Sequence, residues 1–224
     1  MNALIVVAKR PQAGQTKTRL TPPLSPEDAA ELYENFLIDT LELIRQTRNV
    51  TPIIAYLPTG EETYFKSLAP DFQLLPQCGQ GLGERLDNAL THCLQNGFDK
   101  AVIMDSDSPT LPAEYLTQAF TQLDTANVVL GPCDDGGYYL IGLKRPAPHL
   151  LREVTMSTAT VTQDTISLAH QAGLQVALLP TWYDVDTVSE LARLNQELLT
   201  LDPDLARYTR RLLAQTPEVL RSAA

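Results

Sequence analysis

Asp105 and Asp107 stand two residues apart where a short apolar run stops, in the stretch VIMDSDSPTLP (102–112). If extended backbone persists to Asp107, both side chains face the same way, because strand side chains alternate with a period of two. Two such carboxylates can share a divalent cation whose other ligands are water and phosphate oxygens, the arrangement Mg2+ prefers. A polar turn ahead of a helix at Pro112 explains the same residues without a metal, and the spacing alone leaves both readings open. Two other chemistries are excluded. Counted from Asp105, the glycine and glutamate of an EF-hand loop would fall on Thr110 and Leu116. A phosphatase-type D-x-D-x-T nucleophile would carry Pro109 as its fifth residue.

Three further polar stretches invite chemistry. AKRPQAGQTKTRL (8–20) offers Lys9, Lys17 and Arg19 around Gly14. Such a loop can wrap a diphosphate, the arginine in bidentate fashion and the lysines as mobile point charges. It has neither the P-loop spacing nor a G-x-G-x-x-G fingerprint. The chain carries a formal net charge of −10, yet its first acidic residue is Glu27. Residues 1–26 hold Lys9, Arg10, Lys17 and Arg19, which leaves 13 of the 17 basic residues against all 27 acidic ones in the remainder. A cationic loop on an acidic chain favours a small anionic ligand over a merely solvated loop. The overall charge argues against nucleic acid or an anionic membrane as partner.

In GPCDDGGYYLIG (131–142), Asp135-Gly136-Gly137 between apolar runs is a hairpin signal. The glycines also let a ligand approach the backbone while Asp134 or Asp135 faces it, binding a sugar hydroxyl or acting as a base. In WYDVDTVSEL (182–191), Thr187 and Glu190 have the spacing of a helix capping box. That leaves Asp184 and Asp186, again two apart, one of which could supply a further metal ligand. Trp182 and Tyr183 could stack on a base or sugar, or belong to the core.

The elements that must position these residues alternate in type. Strands are expected at Leu4–Ala8, Pro52–Leu57, Gln73–Leu75, Ala101–Met104, Asn127–Leu130, Tyr138–Leu143 and Gln175–Leu178. Helices are expected at Pro26–Gln46, Glu61–Leu68, Leu82–Asn96, Pro112–Leu123, Val161–Ala172, Val188–Leu199 and Pro203–Ala214, the first capped by Ser25. Several strands are apolar on both faces, as when helices cover a parallel sheet. With 224 residues and 44% apolar content, the pattern indicates one α/β domain over residues 1–224, a three-layer sandwich with a mostly parallel central sheet. In an open α/β sheet ligands gather beyond the carboxyl ends of the strands, where all four polar stretches fall. No apolar run approaches the ~20 residues of a membrane span, and Ala3–Ala8 reads as a first strand rather than a signal peptide. Cys78, Cys93 and Cys133 fit neither a disulfide framework nor a zinc site, so a reducing cytoplasm is the expected setting.

AKRPQAGQTKTRL, MDSDSPTLP, GPCDDGGYYLIG and DVDT, in this order across roughly residues 3–199, resemble the nucleotide-diphospho-sugar transferase superfamily with the GT-A fold. Within it they look most like the small bacterial DUF2064 group, the rSAM/selenodomain-associated transferase 1 glycosyltransferase-like proteins. KTRLTPPLSPEDA is also similar to the start of 2-phospholactate guanylyltransferases, which share the fold. The resemblance implies a transferase that needs Mg2+ or Mn2+ and moves a group from a nucleotide sugar to a small-molecule acceptor. A nucleotidyltransferase that takes an NTP and releases pyrophosphate is the alternative; a non-catalytic nucleotide-binding module is the third reading. Lys17 and Arg19 match the phosphate-binding loop, where they would neutralise leaving-group charge, with Lys9 and Gly14 beside them. Asp105 and Asp107 match the D-x-D metal site, and Asp186 the late aspartate that completes it. Asp135, Gly136 and Gly137 match the D-G-G segment near the acceptor, with Asp135 orienting or deprotonating it. The chain departs from the wider pattern twice: the loop lacks the G-x-G-T-R form, and Met156-Ser157-Thr158 stands where an aromatic precedes Ser-Thr.

Overall fold

A computed structural model describes residues 1–215. The chain runs β1 (Asn2–Lys9), a 3-10 turn (Thr18–Leu20), α1 (Pro26–Gln46), β2 (Val50–Leu57), α2 (Glu62–Leu68), β3 (Gln73–Pro76), α3 (Leu82–Gln95) and β4 (Lys100–Met104). It continues through α4 (Ala113–Thr125), β5 (Val128–Pro132), β6 (Tyr138–Leu143), α5 (His149–Arg152), α6 (Val161–Gln171), β7 (Val176–Leu178), α7 (Val188–Leu198) and α8 (Arg207–Gln215). The strands form one seven-stranded sheet of order β3-β2-β1-β4-β6-β5-β7. Only β6 is reversed, pairing antiparallel with β4 and β5; the other pairings are parallel.

The expected elements are present, most within one or two residues of their expected ends. The last helix begins at Arg207 rather than Pro203, because the residues before it form turns. The short α5 was not expected from the sequence: Pro146 and Pro148 hide a single helical turn. The expected extent of one domain to residue 224 runs past the described residues.

Alternation explains the layers. In β1, Leu4, Val6 and Ala8 face α1, α2 and α4, joining Leu41, Phe65 and Phe120 in one core. Ala3 and Ile5 face the other way, with Leu90 of α3, Leu150 of α5 and Ala169 of α6. A third core lies apart from these two. There Leu20, Leu24, Leu32 and Phe36 pack against Tyr183, Val185, Leu191 and Leu194, so the loop after β1 and the approach to α7 are held together by apolar burial. Helix α1 starts as its sequence dictates: the Asp28 amide donates to Ser25 Oγ at 3.0 Å, with Pro26 at the first turn. No described helix is long and apolar enough to cross a membrane.

One buried carboxylate joins α1 to the last helix. Asp39 accepts hydrogen bonds from the amides of Tyr208 (3.1 Å) and Thr209 (2.8 Å), capping the first turn of α8 from another element. Asp39→Ala strands two amide donors, which costs about 1–3 kcal/mol. Urea unfolding followed by circular dichroism is expected to show a lower midpoint at unchanged slope; an unchanged midpoint contradicts the capping role.

Candidate functional site

The sheet brings the four polar stretches to one edge. Strands β1, β4 and β5 end there, and the reversed β6 begins there. Strand β1 leads through α1 to β2 on one side, while β4 leads through α4 to β5 on the other, so a crevice opens where β1 and β4 diverge.

The DSDS segment is a turn and a cavity wall at once. Extended backbone stops at Met104 rather than reaching Asp107, and the Asp107 amide donates to Asp105 Oδ1 at 3.1 Å. The two serines point inward: Ser106 Oγ lies 2.9 Å from the Tyr33 hydroxyl, and Ser108 Oγ donates to the Tyr183 carbonyl at 3.0 Å. The Val185 amide donates to the Asp107 carbonyl at 3.0 Å. With its serines and backbone fixed in this way, the segment presents Asp105 and Asp107 to a cavity of about 280 Å³.

Asp135, Asp184 and Asp186 line the same cavity. Tyr183 and Val185 are buried in the third core, which turns Asp184 and Asp186 outward. Asp134 leaves the site to pair with Arg193 at 2.6 Å. Asp135 Oδ1 accepts from the Gly137 amide at 2.8 Å, fixing the carboxylate. Gly137 lines the cavity, but Gly136 serves the fold. Its φ is +91°, and a Cβ there would lie 1.9 Å from the Ala159 carbonyl oxygen. Gly14 likewise takes φ +71° in a turn and does not line this cavity.

Cys133, which sequence reasoning did not single out, is a further wall residue; its only signal was its place just before Asp134-Asp135. Among the described residues, Cys133, Asp135 and Asp184 form a group whose ligand atoms all lie within 4.8 Å of one another. Asp105, Asp107 and Asp186 share the cavity without forming such a group. Burial, then the charge of Asp107, holds the Asp105 carboxyl well above the usual range. Burial, then Asp186 and Asp135, pushes Asp184 up to about 6.

The cations divide into structural and available ones. Arg10 pairs with Glu61 at 2.6 Å and lies 4.3 Å from the Tyr64 ring centroid, so it serves the fold. Lys17, expected as a mobile phosphate ligand, is instead 5% exposed and contacts Asp107 Oδ1 (2.8 Å), Asp186 Oδ1 (2.8 Å) and the Val185 carbonyl (2.7 Å). Burial opposes its charge, but the Asp107 and Asp186 carboxylates outweigh it and raise its pKa. Arg19, 72% exposed, reaches Asp186 Oδ2 at 3.4 Å. Lys9 Nζ donates to the Gln15 carbonyl at 3.1 Å beside a second cavity of about 250 Å³, which Lys17 and Arg19 also line. This basic cavity shares Arg19, Asp107 and Asp186 with the acidic one. Trp182 and Tyr183 line neither: Trp182 packs edge-on to Tyr115, and the Tyr183 hydroxyl donates to Glu197 at 2.6 Å.

Comparison with known proteins agrees with this architecture. Residues 40–158 match the sequence model of the family described as uncharacterized protein conserved in bacteria (DUF2064). A candidate nucleotide-diphospho-sugar transferase from Desulfovibrio desulfuricans G20 is 31% identical, with 99% of this chain and 97% of that one covered and a TM-score of 0.92. The 2-phospho-L-lactate guanylyltransferase of Methanothermobacter thermautotrophicus (strain Delta H) is 29% identical over 183 residues, 80% of this chain and 78% of that protein. The fold, at 11% identity, also matches the 4-diphosphocytidyl-2C-methyl-D-erythritol synthase of Anaerococcus prevotii DSM 20548. There the TM-score is 0.59, with 88% of this chain and 96% of that one covered.

The wall around Cys133 has a measurable consequence. Cys78 is exposed, whereas Cys93 and Cys133 are buried. Burial pushes the Cys93 thiol up to about 11, and burial followed by the surrounding carboxylates pushes Cys133 higher still. At pH 8 both stay protonated, and the thiol is a far weaker nucleophile than the thiolate. An aromatic disulfide reagent is expected to titrate one of the three thiols promptly and the other two only in denaturant. Prompt reaction of two thiols would show that the acidic wall does not protect Cys133.

Proposed function

For this chain, which belongs to the DUF2064 family, we propose a metal-dependent transferase that moves a sugar from a nucleotide-activated donor to a small-molecule acceptor in the cytoplasm. The observation that carries it is the meeting of an acidic and a basic cavity at Arg19, Asp107 and Asp186, at the switch point of the sheet. A donor diphosphate needs both signs of charge at one place: cations for its oxygens, and carboxylates for the metal that travels with it.

The donor set fits Mg2+ or Mn2+, since hard cations take carboxylate oxygens. The raised carboxyls of Asp105 and Asp184 fit as well: burial first, and the neighbouring carboxylates second, disfavour their charged forms, and a divalent ion offsets both. Asp105, Asp107 and Asp186 line one cavity without converging in the unliganded chain, so they would draw together to hold the ion, with Asp184 beside them, and when bound it would neutralise charge on the diphosphate. Lys9 and Arg19 would bind the phosphate oxygens, preorganised positive charge where the leaving group gains negative charge. Asp135, held through Oδ1, keeps Oδ2 for the acceptor hydroxyl. As the sugar–phosphate bond breaks and the acceptor oxygen bonds to the sugar, the hydroxyl proton passes to Asp135 and the nucleoside diphosphate leaves.

A diphosphate suits the available charge. With Arg10 paired to Glu61 and Lys17 held by Asp107 and Asp186 before a ligand arrives, Lys9 and the exposed Arg19 are the cations that the basic cavity first offers. The second reading, nucleotidyl transfer from an NTP with release of pyrophosphate, is favoured by the guanylyltransferase relative that aligns over four-fifths of the chain.

The two part in a donor panel. With Mn2+ present and water as the default acceptor, glycosyl transfer is expected to release nucleoside diphosphate from one nucleotide sugar and nothing from NTPs. Pyrophosphate release from an NTP would overturn the first reading in favour of the second. Asp107→Ala is expected to abolish turnover with the fold intact. Asp135→Asn is expected to lower kcat by about 10²–10⁴-fold, the usual contribution of a positioned base. Retained turnover in Asp107→Ala would sink the metal site.

A further inference from the structure

Lys17 occupies the very oxygens that a divalent cation would want. Lys17 donates to Asp186 Oδ1 at 2.8 Å and to the Val185 carbonyl at 2.7 Å, and its ammonium lies 2.8 Å from Asp107 Oδ1 as an ion pair, an oxygen that is buried and receives no hydrogen bond. The exposures are lopsided: the lysine side chain is 5% exposed, while Asp107 and Asp186 are 30% and 37% exposed. The cation therefore lies beneath two anions that open to the cavity. Both of its carboxylate partners come from segments that face the acidic cavity.

We propose that Lys17 is a resident counter-ion, displaced from the Asp107–Asp186 pair when the divalent cation and the diphosphate arrive together. This rests on the metal-dependent reading above. The backbone has reason to stay: Lys17 holds φ +49° at the entry to the 3-10 turn, and Leu20 is anchored in the third core. The side chain has somewhere to go, because it also forms part of the basic cavity. There a phosphate replaces the two carboxylates as its partner. Metal alone must evict an ammonium that has no new anion, so it binds poorly. Diphosphate supplies that anion, and the two ligands therefore bind cooperatively, each raising affinity for the other by the same factor.

The test is Mn2+ binding to the full chain, followed by the loss of the free-ion electron paramagnetic resonance signal, in wild type and in Lys17→Met and Lys17→Gln. Without nucleotide, both variants are expected to bind Mn2+ roughly tenfold or more tightly than wild type. Their Tm is expected to fall in chelator and to recover with Mn2+ by more than the wild-type shift. Folded variants that bind Mn2+ no more tightly than wild type overturn the proposal. So do variants that stay unfolded at saturating Mn2+, since the ion then fails to replace the ammonium. If wild type turns over a donor with Mn2+ while the variants gain no affinity, the role of Lys17 alone falls. If no form binds Mn2+ even with a panel of nucleoside diphosphates, the metal-dependent reading falls with it.

Discussion

The ammonium of Lys17, 2.8 Å from each of two carboxylates, joins three distant parts of the chain. It ties the loop after β1 to the turn after β4 and to the approach to α7. A buried charge is tolerable only when paired, and removing one partner of such a pair is far costlier than never having had it. Here the pairing is double, and the ring of Phe36 lies 5.8 Å from the ammonium on its apolar side. The same pairing sets the charge of the site. Two of the five cavity aspartates have their negative charge balanced from beneath. Asp105 and Asp184 have no such partner, and burial, with the neighbouring carboxylates adding to it, raises their pKa values.

Such a wall of acids repels itself, so the scaffold beneath it has to be stiff. The stiffness comes from residues that take no part in chemistry. Ser106 and Ser108 hold the D-x-D turn to Tyr33 and to the Tyr183 carbonyl. Tyr33 also accepts from the Lys9 amide at 3.0 Å, which fixes the end of β1 against the same turn. The third core gives α1 two duties: its later turns cover the sheet, and its earlier ones clamp Tyr183 and Val185. Reversal of β6 is equally necessary. In a fully parallel sheet the connection after β5 would cross over to the opposite edge, and Asp135 would not follow directly from a strand end beside Asp105.

Most of the fold was legible because burial on both faces of a parallel strand writes itself as an unbroken apolar run, and because α1 and α7 carry their own caps. The acidic residues of the site were legible for a related reason: a charged pair just beyond a buried strand has no structural duty that its neighbours do not already perform. What the sequence hid was direction and partnership. Asp134 and Asp135 are alike in sequence, yet Arg193 takes the first and leaves the second in the cavity. Gly136 looked like a place for a ligand, but the backbone of Ala159 occupies that space. Lys17 looked mobile because no acid lies near it in sequence; its partners are 90 and 169 residues away. Cys133 carried only the signal of its place before Asp134-Asp135, since one buried cysteine has the same appearance whether it packs a core or lines a wall.

Charge also constrains how a ligand reaches the site. The chain carries −10 overall, and five aspartates line the acidic cavity. A bare nucleotide, itself polyanionic, meets repulsion from both, with Lys9 and the exposed Arg19 as its local counterweight. The same nucleotide carrying a divalent cation meets a different field. Its positive centre is drawn to the aspartates and its residual negative charge to the basic cavity, and the two cavities share Arg19, Asp107 and Asp186. On the proposed reading, metal and donor therefore enter as one complex. That is the order of events a counter-ion seated between Asp107 and Asp186 would enforce, because only the complex delivers both the cation that replaces Lys17 and the anion that receives it.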